Sequence, residues 1–353
     1  MKRYSLSLIG TILVAGLITS NANAQAPQAD AHVAAAKAAM SSKAPNARPW
    51  QAFESVFKQQ CTPPRPGARP EAEPIGSNAP LEPAEQRKLT PTPHDQWYVP
   101  PTKVFDNLYY IGTRTESTWA LTTSAGIILL NTNFEWVTAD LLNELKTFGL
   151  DPANVKYALI GHAHSDQAWG INVLKKMVPT ARVIAGEGDW DTLAKDNTPA
   201  RMKPTKDIVA KDGQKLTLGD TTVTIYVTPM SSPGQLTVVM PLKDGNQQHV
   251  GIMIGGTTMN LIRSGVKLYP DQATMFKQYI GSLERIKNIQ ATNNVDTIVS
   301  IHAALDTAFS KMEALKSRKP GDPHPFVSKD DVDRFSTLLL ECARAKQAWA
   351  SGN

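Results

Sequence analysis

The sequence predicts an α/β fold with two β-sheets face to face and helices on the outside. Three observations carry this expectation. From about Lys103 onward, short apolar runs alternate with helical patterns, which signals α/β layering. The pattern comes in two comparable halves, the second opening on two strands parted by a hairpin signal at Gly219-Asp220. Finally, Val155 to Ile160 reads as a buried strand and runs straight into Gly161-His162-Ala163-His164-Ser165-Asp166-Gln167-Ala168-Trp169-Gly170.

The chain begins with what reads as a targeting segment over residues 1–24. Lys2 and Arg3 give a basic start. Leu6 to Ile18 is mostly apolar but too short to span a bilayer, and Ala22-Asn23-Ala24 supplies small residues for cleavage before Gln25. No other stretch is long and apolar enough to span a membrane. The protein is therefore expected in the periplasm or outside the cell, without a stable membrane anchor. Cleavage would lower the formal net charge from +5 to +3, with 35 basic and 32 acidic side chains scattered along the chain. That balance argues against a nucleic-acid or anionic-membrane partner and leaves a small molecule as the expected partner.

Residues 25–102 form an Ala- and Pro-rich arm. Residues 25–47 are expected to be loosely ordered. Trp50 to Gln60 is expected to form a short helix with Trp50, Phe53, Val56 and Phe57 on one face. Residues 62–101 hold 11 of the 25 prolines and read as an arm over the surface or an exposed linker. In an oxidising compartment, Cys61 and Cys342 are expected to form a disulfide that ties the arm to the last helix; the plain alternative is two separate thiols.

The domain proper spans 103–353. Val104 to Gly112 reads as strand, turn and strand, followed by strands at Trp119 to Thr123 and Gly126 to Leu130. A helix over Leu141 to Phe148, the strand Val155 to Ile160, a helix over Ile171 to Met177 and a strand over Ala181 to Ala185 complete the first half. The second half has strands at Gln214 to Leu218, Thr221 to Val227, Leu236 to Leu242 and Val250 to Ile254. A long helix over Asp271 to Lys287, a strand over Asp296 to Ser300 and helices over Ala304 to Leu315 and Lys329 to Arg344 close the chain.

Two imidazoles and a carboxylate follow one another within five residues at the end of a strand. His162 and His164 are two apart, so an extended backbone aims both the same way. Imidazole and carboxylate are ligands that zinc accepts. A lone H-x-H is weak; H-x-H-x-D after a buried strand, flanked by glycines, points to a metal centre.

This stretch resembles the H-x-H-x-D-H zinc motif of the metallo-β-lactamase superfamily. Other stretches in the same order resemble its third subclass, the exported B3 type. They are Phe105 to Gly112, Leu129-Leu130-Asn131-Thr132-Asn133, Thr228 to Gly234, Gly255-Gly256-Thr257-Thr258-Met259-Asn260, Ser300-Ile301-His302, and the tail around Arg318 to Val327 and Glu341-Cys342-Ala343. The resemblance implies the αββα sandwich of that family. It also implies a zinc centre that would draw on His162, His164 and the position of Ser231 for one ion, and on Asp166, the position of Gln167 and His302 for the other.

Ser231 and Gln167 depart from the family pattern, in which both positions are His. Asn131 departs from an Asp that orients the site from outside the ligand shell. With an imidazole missing from each half, the resemblance favours one zinc ion over two, or none. The implied activity is an exported metallo-hydrolase in which metal-activated hydroxide attacks a lactam, lactone or other ester or amide carbonyl, with Asp166 orienting the water. The alternative is a non-catalytic protein of the same fold that uses the pocket for binding or serves as a scaffold. A different single metal, such as iron at Asp166, His302 and one other ligand, is a third reading.

Thr257 and Asn260 are candidate contacts to a substrate carboxylate or carbonyl. Trp169 either packs or fills part of the pocket. Phe134, Trp136 and Trp119 either grip an apolar substrate near the mouth or are half-buried structural aromatics. His94, His249 and His324 are expected in solvated loops rather than as ligands.

Overall fold

The structure, a computed structural model, describes residues 19–42, 48–63 and 87–351, with side chains from residue 27 on and without that of Trp50. Most of the expected targeting segment and residues 64–86 of the proline-rich arm lie outside the described residues.

Two sheets form the centre. The first has seven strands in chain order: β1 (Thr102–Phe105), β2 (Leu108–Tyr110), β3 (Trp119–Thr123), β4 (Gly126–Leu130), β5 (Val155–Leu159), β6 (Arg182–Ala185) and β7 (Ile208–Val209). It is antiparallel from β1 to β4 and parallel from β4 to β7. The second contains β8 (Gln214–Leu218), β9 (Thr221–Val227), β10 (Leu236–Asp244), β11 (Gln247–Ile254) and β14 (Thr297–Ile298), in the order β14-β11-β10-β9-β8. A small hairpin, β12 (Ile262–Arg263) and β13 (Val266–Lys267), stands apart.

Strand β4 shows why the layers stack as they do. Successive strand side chains point to opposite faces. Ile128 and Leu130 therefore meet Val223, Ile225, Val238 and Met253 of the second sheet in the core between the sheets. Ile127 and Leu129 point the other way, into a cluster with Leu142, Leu145, Ile171, Leu174 and Trp190. Both faces of the strand are covered, so it reads as an unbroken apolar run. The cluster on the outer face is built by α4 (Glu135–Glu144), α6 (Ile171–Met177) and α7 (Glu187–Lys195). On the second sheet the outer layer is α8 (Gln272–Thr292) and α10 (Lys329–Ser351), whose Tyr279, Leu283, Ile286, Phe335, Leu338 and Leu339 pack over Val239, Ile252 and Ile254. Asp271 caps α8, its carboxylate accepting from the Thr274 N–H at 2.6 Å. This is the expected αββα sandwich.

Several elements differ from the sequence expectation. Helix α4 starts at Glu135 rather than Leu141, because Val137 and Thr138 already turn inward. The sequence reading omitted α7, whose run of acidic and small residues leaves only Trp190 and Leu193 as apolar anchors. The last helices are α9 (Ala308–Ser317), which starts later than expected, and α10, which continues to Ser351.

The arm is more ordered than its composition suggested. Residues Thr19–Ala39 form a helix, α1, lying along α10 with Ala29 and Ala36 fully buried. Alanine is the best helix former and lets the two backbones approach closely. His32 Nδ1 lies 2.6 Å from Glu341 Oε2. Residues Trp50–Phe53 and then α2 (Glu54–Gln60) form the expected short helix, with Phe53 and Val56 buried. Cys61 and Cys342 are disulfide-bonded across a separation of 281 residues. Nearby, Arg48 Nε reaches Asp331 Oδ2 at 2.8 Å, and Arg334 donates to the carbonyls of Ala39 and Arg48 at 3.1 and 3.0 Å. The helix α3 (His94–Trp97) ends in Trp97, which sits with Phe134, Val137, Leu141, Trp169 and Met202 in a separate aromatic cluster.

Candidate metal centre

Loops from both sheets converge at one end of the sandwich. Residues 161–164 follow β5, and Asp166 lies in the short helix α5 (Ser165–Ala168). Residues 255–258 follow β11, and His302 follows β14. The loops are sewn together by their backbones: the Leu236 N–H donates to Gly161 O at 2.8 Å, and the Gly255 N–H to Leu236 O at 2.9 Å. A Cβ on Gly255 would fall 2.3 Å from the oxygens of both Gly161 and Leu236, so this crossing requires glycine.

One ligand atom from each of His162, His164 and Asp166 lies within 4.8 Å of the others, and all three residues are buried. With Lys88, Glu116, Thr257, Thr258, Arg263 and His302 they line a cleft of about 150 Å³. His162 Nδ1 contacts Gly255 O. A carbonyl can only accept, so the proton sits on Nδ1 and the Nε2 lone pair is left for a ligand. His164 Nε2 is buried with no hydrogen-bond partner. Burial lowers His162 to about 4 and holds His164 well below the usual imidazole range, so both are neutral at neutral pH.

Asp166 is the counterpart. Burial alone would raise its carboxyl, but His302, His162 and His164 and the Gln167 amide together hold it well below the usual carboxylate range. His302 Nε2 stands 3.4 Å from Asp166 Oδ2. Two neutral buried imidazoles, an ionised carboxylate and a third imidazole at the rim form a donor set that fits a divalent cation such as zinc.

The neighbouring polar residues are tied to the protein. Gln167 Nε2 donates to Asp166 Oδ2 at 2.5 Å, and the Gln167 carbonyl accepts from the Thr132 N–H and hydroxyl at 2.9 and 3.0 Å. Ser231 is fully buried. Its hydroxyl donates to Thr258 O at 3.0 Å and accepts from the Thr258 N–H at 2.9 Å. Asn131, at φ +66°, accepts from the Gly161 N–H at 2.7 Å and so fixes the residue before His162. Asp189 of α7 accepts from the Gly234 N–H at 2.9 Å, and burial raises its carboxyl to about 7.

The remaining sequence candidates separate cleanly. Thr257 lines the cleft, and its carbonyl accepts from the Tyr279 hydroxyl at 2.5 Å. Asn260 lies one step back, its amide donating to Thr258 Oγ1 at 3.2 Å. Phe134 and Trp169 are not in the cleft wall. Phe134 stacks on Trp136, and Trp169 is buried with Nε1 donating to Thr198 Oγ1 at 3.0 Å, so both belong to the aromatic cluster beneath. Trp119 is fully buried between the layers.

His94 is exposed and stacks on Tyr98. His249 and His324 are not in solvated loops. His249 pairs with Asp296 Oδ2 at 2.7 Å. The buried His324 stacks on Phe105 and donates from Nε2 to Val104 O at 2.9 Å. Both serve packing, where the imidazole ring acts as a flat, half-polar filler. The sequence reading missed Lys88, Glu116 and Arg263, none of which stands at a ligand spacing.

No family model matches the chain. Solved structures do. A subclass B3 metallo-β-lactamase of Bradyrhizobium japonicum is 26% identical, with 69% of this chain and 92% of that chain covered and a TM-score of 0.59. A Cronobacter sakazakii metallo-β-lactamase with a HARLDQ motif is 25% identical, with 78% of this chain and 94% of that chain covered and a TM-score of 0.59. Native metallo-β-lactamase from Legionella gormanii is 24% identical over 71% of this chain and 95% of that chain, with a TM-score of 0.58, and supports the fold. The chain has the metallo-β-lactamase fold, resembles subclass B3 and carries the framework of a hydrolase.

Proposed function

We propose that the protein is an exported metal-dependent hydrolase of the β-lactamase type, acting on a lactam, lactone or other ester or amide carbonyl of a small molecule. The observation that carries this reading is the convergence of His162, His164 and Asp166 on one cleft, with His164 Nε2 buried and unpartnered. A buried acceptor without a donor is costly unless a ligand takes its lone pair. A zinc ion held by His162, His164, Asp166 and His302 would supply a Lewis acid and a water with its pKa lowered toward about 7.

The chain's own residues would do the rest. Gly255 fixes the tautomer of His162, and Asn131 holds the loop in front of it. Asp166, kept ionised, would accept a hydrogen bond from the attacking water and so orient it. Gln167 and Ser231 serve the loops rather than the cation, which favours one ion over two. The HARLDQ motif of the Cronobacter sakazakii metallo-β-lactamase also ends in Asp-Gln, as His162–Gln167 does, so a Gln here is compatible with that class.

Export, with cleavage near Ala24, fits the disulfide. No helix among the described residues is long and apolar enough to cross a membrane. The experiment is metal content by mass spectrometry, together with turnover on a panel of lactams and lactones. Zinc-dependent turnover that vanishes in His162→Ala is the expected result. A fully loaded protein inert on every member would overturn it.

A second reading, a non-catalytic protein that keeps the pocket for binding or as scaffold, is favoured by one observation: Ser231 and Gln167 spend their polar groups inside the protein. Two tightly held zinc ions per chain would remove it.

A further inference from the structure

We propose that Arg48, on the N-terminal arm, is a positioning residue for His302, so that the arm forms part of the metal centre. The inference rests on the hydrolase reading only in requiring that a cation binds there. Arg48 does not line the cleft; it acts through the turn that follows His302.

His302 is the imidazole of the centre whose ring is least fixed by its own contacts. His162 is locked through Nδ1 on Gly255 O, and His164 is enclosed by the protein around it. The His302 side chain is 28% exposed, and among the described residues its ring makes no polar contact closer than the 3.4 Å approach to Asp166 Oδ2. Where the ring stands is therefore set by its backbone. Upstream, that backbone is held by the bridge to Glu116 and by the Ser117 N–H, which donates to Ile301 O at 2.8 Å. Downstream lies a tight turn, in which the Leu305 N–H donates to His302 O and the Ala308 N–H to Ala303 O, both at 3.0 Å.

This turn closes on Thr307, at φ +54°, just before α9 begins. A β-branched residue in the left-handed region is strained, and it persists only where its surroundings impose it. Arg48 is that constraint. Its Nη1 donates to Asp306 O at 2.9 Å and to Thr307 Oγ1 at 3.1 Å, and its Nη2 donates to Pro325 O at 3.2 Å. Lys311 holds the side chain of Asp306, and Arg334 holds the arm in turn by donating to Arg48 O at 3.0 Å.

Charge balance alone explains little of this. Asp331, which Arg48 Nε reaches at 2.8 Å, is already met by Arg334 at 3.2 Å. A lysine at position 48 would serve Asp331 as a point charge. Only the planar fork of a guanidinium reaches Asp331, the two acceptors on the turn and Pro325 O together. The coupling also runs backwards: an arm that fixes His302 is itself fixed when His302 takes up a cation.

The test uses the full mature chain, stripped of metal and titrated with Zn²⁺ against a chelator, as wild type, Arg48→Lys, His302→Ala and the double variant. Arg48→Lys keeps the charge facing Asp331 and removes the fork. It is expected to weaken Zn²⁺ binding by about 10-fold, the low end of what changing an outer partner of a metal costs, and to shift the visible absorption of the Co²⁺-loaded protein. In the His302→Ala background the same change should alter neither, because the coupling runs through His302. A merely structural role would lower affinity equally in both backgrounds; that result overturns the assignment, as does an unchanged affinity. A second readout needs no variant of Arg48. Zn²⁺ should slow proteolysis between α1 and α2 in the wild type and lose most of that effect in His302→Ala. Equal protection in the two, or none in the wild type, would overturn the assignment whether or not Arg48→Lys folds. In each of these cases Zn²⁺ binding by the wild type leaves the hydrolase reading standing. A wild-type chain that takes up no Zn²⁺ would overturn both.

Discussion

The side-chain amide of Gln167 donates to Oδ2 of Asp166 at 2.5 Å, the same oxygen that His302 Nε2 approaches at 3.4 Å. One lone-pair-rich atom is thus shared between an amide that competes with a cation and an imidazole that would bind one. Gln167→His would remove the competing donor and add a nitrogen ligand. It is expected to raise zinc retention, read as a higher stoichiometry after dialysis against a weak chelator.

Ser231 behaves differently. A Cβ on Gly256 would already meet the Ser231 hydroxyl at 2.4 Å, so the space around the side chain is full. Ser231→His is expected to push residues 256–258 aside and cost about 1–3 kcal/mol, the usual range for overpacking. Urea unfolding of the metal-free protein measures it. In the double variant, this strain should offset the gain from Gln167→His.

Asn131→Ala removes the acceptor of the buried Gly161 N–H and places a Cβ-bearing residue without a polar tip at φ +66°. An orphaned buried donor costs about 1–3 kcal/mol. Asn131→Asp keeps the acceptor and should retain most of the stability. Denaturant midpoints of the two variants, with zinc affinity alongside, separate the backbone role from any effect on the metal.

Asp189 gives a pH dependence with a definite sign. Its carboxyl rises on folding from 3.8 to about 7, so the folded state holds a proton that the unfolded state releases earlier. Its contribution to stability is fullest below the unfolded value, declines as pH rises through the window from about 4 to about 7, and is level above. Asp189→Asn should flatten that part of the profile. Melting temperatures at pH 5 and pH 7.5 provide the comparison.

Arg48 faces Asp331, which is almost wholly buried and shared with Arg334 Nη1 at 3.2 Å. Arg48→Ala leaves that carboxylate with half of its partners. The expected loss is about 3 kcal/mol, the low end for breaking a buried pair, because Arg334 remains. Faster proteolysis between α1 and α2 should accompany it.

The sequence made the sandwich legible because its signals are local. Strand β4 is an unbroken apolar run, β8 and β9 are parted by Gly219-Asp220, and the His162 loop follows its strand directly. The metal-site residues that were readable share one loop, apart from His302. Glu116 and Lys88 were not readable, because their place in the cleft depends on a bridge to His302 and on the packing of the arm around Trp136, whose Nε1 donates to Lys88 O at 3.1 Å. Trp169 was open between packing and pocket, since an aromatic after a metal loop has both uses; the hydroxyl of Thr198 settles it as packing. The alanines before Ala39 read as loose because they lack an apolar stripe, yet small side chains are what close contact with α10 needs.

The bond between Cys61 and Cys342 also changes the covalent topology of the molecule. Nearly the whole domain lies inside one closed ring, with α1 and α2 as a tail on one side and the end of α10 as a tail on the other. A protease that cuts once anywhere inside that ring yields no separate fragment until the bridge is reduced. A single nick in the proline-rich stretch would therefore leave the mass of the oxidised protein unchanged apart from one water, and the two pieces would part only under reducing conditions. In an oxidising compartment, such a cut would leave the N-terminal helices covalently held to the domain that carries the cleft.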